Sequence, residues 1–334
     1  MSGVLLARTM RNPAQIATLD AAGWTALIGA ARAEQMLGNL AHRLEGLAMP
    51  AAAARILADA RASAGQGRIA ALWEAEMARR ALAPLGVPVV LLKGTAFVAA
   101  GLSAGAGRSI GDLDILVPHA VLDVVEHALL AAGWEWVKPD PYDDAYYRRW
   151  MHELPPLIHR SRDRMIDVHH TILPRTARPT PDAALLIADA MPLGNGLSVL
   201  SREDMLVHAA AHLFADGDLA GGLRNLWDIH CLLDEWDAPG FREHVSTRAR
   251  HHGLGEAIAR AMRLSDALYG AGAKLTAADR WFVRRVTGRD GWGVQRRKAS
   301  EQAFYLRGHL LRMPPPMLAR HLWTKWRKGY RPIG

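Results

Sequence analysis

The chain has 334 residues, half of them hydrophobic and 22% charged, with one cysteine, Cys231. That composition suits a globular protein with two or three cores, and a lone cysteine excludes a disulfide framework and a thiolate zinc cluster. The net charge of +8 is unevenly placed: residues 280–334 carry fourteen Lys/Arg against two acids, which leaves the preceding part mildly acidic, so the tail reads as the part that meets an anionic partner.

Residues 1–84 read as an N-terminal helical region. Trp24, Leu27 and Ile28, then Met36, Leu37 and Leu40, recur at three-and-four spacing. The alanines of the fifties and Gly65-Gln66-Gly67 read as breaks. No chemistry is visible there. The start of the chain lacks the layout of a secretory signal. The longest apolar stretch, about residues 81–92, holds Pro84 and Pro88 and is too short to span a bilayer. No transmembrane segment is expected, and the expected location is the cytoplasm.

Residues 85–175 change pattern. A buried strand over 87–92 runs into Lys93-Gly94-Thr95 and a helix to about residue 100. The glycine-rich stretch 101–107 reads as a flexible approach to a second strand over 112–117. A helix from Pro118 to about residue 132 follows, then strands over 134–137, 154–159 and 164–170, the last two joined by Ser161-Arg162-Asp163. This predicts a compact mixed sheet with few helices, of the α+β (mixed α/β) class. Residues 176–334 read as a C-terminal helical domain with a basic tail. Its helices fall near 201–214, 222–236, 240–252, 254–269, 276–286, 300–312 and 317–328, with Pro314-Pro315-Pro316 between the last two.

The chemistry concentrates in the strand after Gly107-Arg108-Ser109-Ile110-Gly111. Asp112 and Asp114 are two residues apart, and such residues share one face of a strand. Two carboxylates that close repel, and burying them unpaired is costly. A divalent cation removes the problem, and hard oxygen ligands suit Mg²⁺. A third carboxylate, Asp167, sits in another apolar strand, Met165-Ile166-Asp167-Val168-His169.

Three carboxylates on adjacent strands, after a strand-Gly-Thr-helix, resemble the layout of DNA polymerase beta-like nucleotidyltransferases. The closer resemblance is to a group of uncharacterised nucleotidyltransferases. It rests on Leu92-Lys93-Gly94, Arg108, Asp112-Leu113-Asp114-Ile115-Leu116-Val117, His152 and Ile166-Asp167-Val168-His169-His170. It covers residues 87–173 well and 204–234 loosely. Two departures stand out: Thr95 where the wider superfamily has Ser or Gly, and a long gap from Gly94 to Asp112.

The resemblance implies transfer of a nucleoside monophosphate from an NTP such as ATP to a hydroxyl, with release of pyrophosphate. It implies Mg²⁺ or Mn²⁺ on Asp112, Asp114 and Asp167, the three catalytic candidates. The backbone of Gly94 and Thr95 would receive the triphosphate, with Lys93 and Arg108 neutralising its charge, although Arg108 could instead pair with Asp112. His169, on the face of Asp167, would touch acceptor or phosphate. The NTP would lie between the sheet edge and the C-terminal helices. Related chains resemble proteins encoded beside peptide natural-product maturation genes, so a peptide or small-molecule acceptor is expected first and tRNA-like RNA second. A catalytically silent nucleotide- or nucleic-acid-binding module is the rival reading.

Other groupings are weaker. His208 and His212 share one helix face and read as a packing or substrate-facing pair. Asp228 and His230, near Arg224, read as a buried ion pair or part of a cleft wall. In the tail, Arg296, Arg297, Lys298, Arg307, Arg312, Arg320, Lys325, Arg327 and Lys328 alternate with Trp292, Tyr305, Trp323 and Trp326. This suits a solvated face, an RNA-binding surface or an anionic membrane surface or acidic peptide.

Overall fold

The computed structural model describes residues 2–215 and 219–327. Lys328, at the end of the basic tail, lies outside them. The chain opens with α1 (Ser2–Arg11), α2 (Ala21–Ala33), α3 (Leu37–Arg43) and α4 (Ala51–Leu82). Next come β1 (Val90–Leu91), α5 (Lys93–Ala99), β2 (Leu113–Leu116), α6 (Leu122–Ala131), β3 (Trp134–Trp136), α7 (Pro141–Trp150), β4 (Leu157–His159) and β5 (Met165–His169). The remainder is α8 (Ala183–Ala188), β6 (Met191–Pro192), β7 (Ser198–Val199), α9 (Arg202–Ala215), α10 (Gly222–Glu235), α11 (Phe241–His251), α12 (Gly255–Leu268), α13 (Ala277–Val286), α14 (Lys298–Arg312) and α15 (Pro315–Arg327).

The architecture is α+β, built on one seven-stranded mixed sheet of order β3-β4-β5-β2-β1-β7-β6. β2 lies near its middle, antiparallel to β1 and parallel to β5. All four of its residues are buried, as expected for a strand covered on both faces. The short β6–β7 hairpin, from beyond residue 175, pairs with β1 through β7. Two-residue strands carry too little periodicity to be read from sequence, and this hairpin was not expected.

The expected break at Gly65-Gln66-Gly67 is absent: α4 runs unbroken for 32 residues. Each mid-helix glycine costs about 1 kcal/mol. Burial of Ala53, Leu57, Ala71, Ala75, Ala78 and Leu82 outweighs that cost, as α4 lies against α3, α5, α6 and β2. The stretch 101–107 is not a free linker either. Ala104 is fully buried, and Asn39 Nδ2 donates to the Ala106 carbonyl at 2.9 Å. A Cβ on Gly38 would stand 2.3 Å from the Gly107 oxygen, so bare backbones meet there. The core also holds one more helix than expected. α7 starts at Pro141, its first two amides, Tyr142 and Asp143, capped by the Asp140 carboxylate.

Candidate active site

The parallel pairing of β2 and β5 sets Asp114 opposite Asp167 as register partners. Asp112 lies two residues before Asp114, just ahead of β2, and is exposed. One carboxylate oxygen from each of Asp112, Asp114 and Asp167 falls within 4.8 Å of the others. Leu113 and Ile115 point to the other face and are buried in the core, which holds the carboxylates in register.

Asp114 is the best held of the three, with 2% exposure. Lys93 Nζ donates to its Oδ1 at 2.6 Å, and His169 Nε2 lies 2.9 Å from the same oxygen. Burial opposes charge on Asp114, but Lys93 and His169 outweigh it and hold the carboxyl well below its usual range. Burial likewise opposes charge on Lys93. Asp114 and Asp112 outweigh it and hold the ammonium above the ordinary lysine range. Asp167 goes the other way. Burial, then the charges of Asp114 and Asp112, push it up to about 7. Lys93 itself takes a left-handed backbone at φ 51°, as the first residue of α5. For a non-glycine residue that costs on the order of 1 kcal/mol or more, and the buried pair with Asp114 helps to hold it.

Asp112 and Asp114, but not Asp167, line a cleft of about 500 Å³, a volume that suits a small-molecule ligand. Lys93, Gly94, Arg108, Asp112 and Asp114 line one wall, and His208, His212, Arg224, Asn225 and Asp228 from α9 and α10 line the other. Arg108 does not pair with Asp112. Its Nε donates to Asp228 Oδ2 at 2.9 Å, and both side chains are buried. Its guanidinium lies so close to Gly94 that a Cβ there would stand 2.6 Å from Nη1. A side chain at position 94 would force the guanidinium to shift.

Two expected nucleotide contacts sit elsewhere. Thr95 is buried, and neither it nor His169 lines the cleft. His169 is 1% exposed and reaches Asp114 instead. His208 and His212 do face the cleft. Asp228 also faces it, but His230 stacks on Tyr269, ring centroids 5.9 Å apart. Gln35, at the end of α2, was missed. It lines the cleft and accepts from Arg224, and nothing local in its sequence marks it.

The donor set fits a hard divalent cation. Three carboxylate oxygens converge, and the contacts of Lys93 and His169 with Asp114 both fall on Oδ1, leaving Oδ2 as the oxygen these bonds do not use.

A mixed sheet that gathers three carboxylates beside a cleft of small-molecule size is consistent with a nucleotidyltransferase. The chain belongs to the family described as uncharacterised nucleotidyltransferase, whose model matches residues 20–270. A search of the curated proteins found no match. No helix among the described residues is long and apolar enough to cross a membrane.

Proposed function

We propose that the chain transfers a nucleoside monophosphate from an NTP to a hydroxyl acceptor at the Asp112/Asp114/Asp167 centre. The observation that carries this reading is the convergence of three carboxylate oxygens within 4.8 Å, with Asp112 and Asp114 lining the cleft. Mg²⁺ or Mn²⁺ held by these residues would neutralise charge on the reacting phosphate and the leaving oxygens.

The chain's own residues divide the remaining work. Lys93 and His169 fix Asp114 in one charged orientation. Arg224 and Arg108 add positive charge to the cleft wall. Arg108 acts from its pair with Asp228, so it shapes the field there rather than swinging onto phosphate. In the first turn of α5, Gly94 lines the cleft, and its amide, which has no acceptor within the helix, suits a phosphate oxygen. Asp167, which like Asp112 lies outside the Lys93–Asp114 pair, is suited to take the acceptor's proton. In the reaction the acceptor oxygen bonds to the α-phosphorus, the bond to the β-phosphate oxygen breaks, and pyrophosphate leaves.

A peptide or small-molecule hydroxyl is the preferred acceptor. RNA is the second reading, favoured by the exposed Trp292 and Trp323 among the tail's arginines. The test offers α-labelled NTPs with Mg²⁺ or Mn²⁺, in turn with an extracted peptide fraction, a small-molecule fraction and total RNA. Label entering peptide or small-molecule products supports the preferred reading. Label entering RNA alone replaces it with the second. Metal-dependent NTP binding without transfer to any fraction supports the silent module instead.

A further inference from the structure

Next to Asp114, in contact with it through His169, stands a second group of side chains able to ligate a metal. We propose that His152, Glu153 and His169 form a separate site for one borderline transition-metal ion of the Zn²⁺ kind. It is independent of the nucleotidyl-transfer reading, and neither His152 nor Glu153 belongs to the carboxylate triad.

The backbone brings the three together. Glu153 and His169 are bridge partners in antiparallel sense. Leu154 N–H donates to the Val168 carbonyl and His170 N–H to the His152 carbonyl, each at 2.9 Å. These bonds clamp residues 152–154 along the edge of β5. His169 Nδ1 then lies 3.4 Å from Glu153 Oε2, and His152 Nε2 lies 3.7 Å from the same oxygen. Ligands at about 2.0–2.1 Å in a tetrahedral shell stand roughly 3.3–3.4 Å apart. The His169–Glu153 spacing is that of donors sharing an ion, the His152–Glu153 spacing is slightly wider, and all three ligand atoms lie within 4.8 Å of one another.

The second observation is an orphaned atom. His169 is almost wholly buried, and its Nδ1 makes no hydrogen bond despite the nearby Glu153 oxygen. A buried ring nitrogen without a partner is costly, and a bound ion would satisfy it. The other ring nitrogen, Nε2, already faces the Asp114 carboxylate at 2.9 Å. A histidine that ligates a metal commonly gives its second N–H to a carboxylate, which fixes tautomer and ring orientation. Beside the two histidines is a cavity of about 10 Å³, also bordered by His208 and His212, about the space one water centre needs. Lys93 borders it too, with its charge taken up by Asp114. Two imidazoles and one carboxylate, with room for a fourth ligand, suit Zn²⁺ better than Mg²⁺. Through His169 an ion there would set the orientation of Asp114.

The test uses untagged full-length protein stripped with a chelator and titrated with Co²⁺ alone, then Zn²⁺. The expected result is one Co²⁺ per chain with the strong visible absorption of a four-coordinate site, bleached by one equivalent of Zn²⁺. His152→Gln and Glu153→Gln should each weaken binding roughly tenfold or more with an unchanged far-UV circular dichroism spectrum. Asp112→Asn, which touches only the triad, should keep the bands. Two results overturn the proposal: no stoichiometric Co²⁺ spectrum, or a spectrum lost in Asp112→Asn and kept in both His152→Gln and Glu153→Gln. Loss of nucleotidyl transfer with the Co²⁺ spectrum intact would count against the transfer reading alone.

Discussion

A buried ion pair helps to organise the site. Arg108 and Asp228 have side chains 9% and 4% exposed. Removing one partner of such a pair strands the other charge in the interior, at a cost of about 3–5 kcal/mol. Arg108→Met should therefore lower unfolding stability by that order, read from urea denaturation, besides weakening NTP binding. An unchanged midpoint would show that the pair holds nothing in place. The triad was legible in the sequence because strand periodicity forces Asp112 and Asp114 onto one face, and because Asp167 sits in a run of the same apolar character. The partner of Arg108 was not legible, since 120 residues separate it from Asp228. Nor was the position of His169. Two-residue spacing gave its face correctly, but only the packing shows that its ring is buried against Asp114 and closed off from the cleft.

Among the elements, glycine serves opposite ends. Gly65 lies inside α4, and a Cβ there would meet nothing within 4 Å. Gly65→Ala should stabilise the protein by about 0.5–1 kcal/mol. Gly107 has φ +65°, and a Cβ there would stand 2.2 Å from the Gly38 oxygen. Gly107→Ala should destabilise by more than about 1 kcal/mol. Chemical denaturation of the two variants side by side checks both signs, and a destabilised Gly65→Ala would contradict the continuous helix. The helix breaks read at Gly65 and Gly67 failed because local propensity is weak beside the burial available along 32 residues. The flexible reading of 101–107 failed for a related reason. Glycine there permits close backbone contact with α3, which composition alone cannot separate from mobility.

At the scale of the whole molecule, the basic tail is anchored at its start. Phe304 is buried, and Arg307 donates to the Phe214 carbonyl at 2.9 Å while its guanidinium lies over Phe282. Arg289 bonds to Glu34, joining the segment after α13 to α2. Part of the charge that looked available to an anion thus holds the C-terminal helices to the body, and Arg296, paired with Asp290, is another member already engaged. Charge counting along the sequence cannot separate such arginines from the others.

Acid should act on the whole fold through buried histidines. His208 is buried, and burial pulls it well below the ordinary histidine value, with Lys93 and His212 adding to the effect. Below about pH 6.5 the unfolded chain takes up this proton and the folded chain does not, so stability falls as pH falls. Relative to His208→Gln, the wild-type protein should lose about 1.4 kcal/mol per pH unit there. Parallel pH dependences in urea melts of the two proteins would show that His208 protonates freely in the fold. Asp204 has the same sign at lower pH. Burial opposes its charge, but His252 and Arg248 outweigh it and hold it below its usual range. Its contribution is present above the unfolded value and lost as pH falls below it.

The most direct test of the central claim compares pyrophosphate release with transfer of the α-phosphate label in the wild-type protein, Asp112→Asn and Asp114→Asn, with Mg²⁺ and an acceptor-bearing extract. One pyrophosphate per label transferred is expected in the wild type. Both variants should lose roughly 10²-fold or more, as when groups that stabilise transition-state charge are removed. Label transfer that survives both substitutions, or release of orthophosphate in place of pyrophosphate, would contradict the claim.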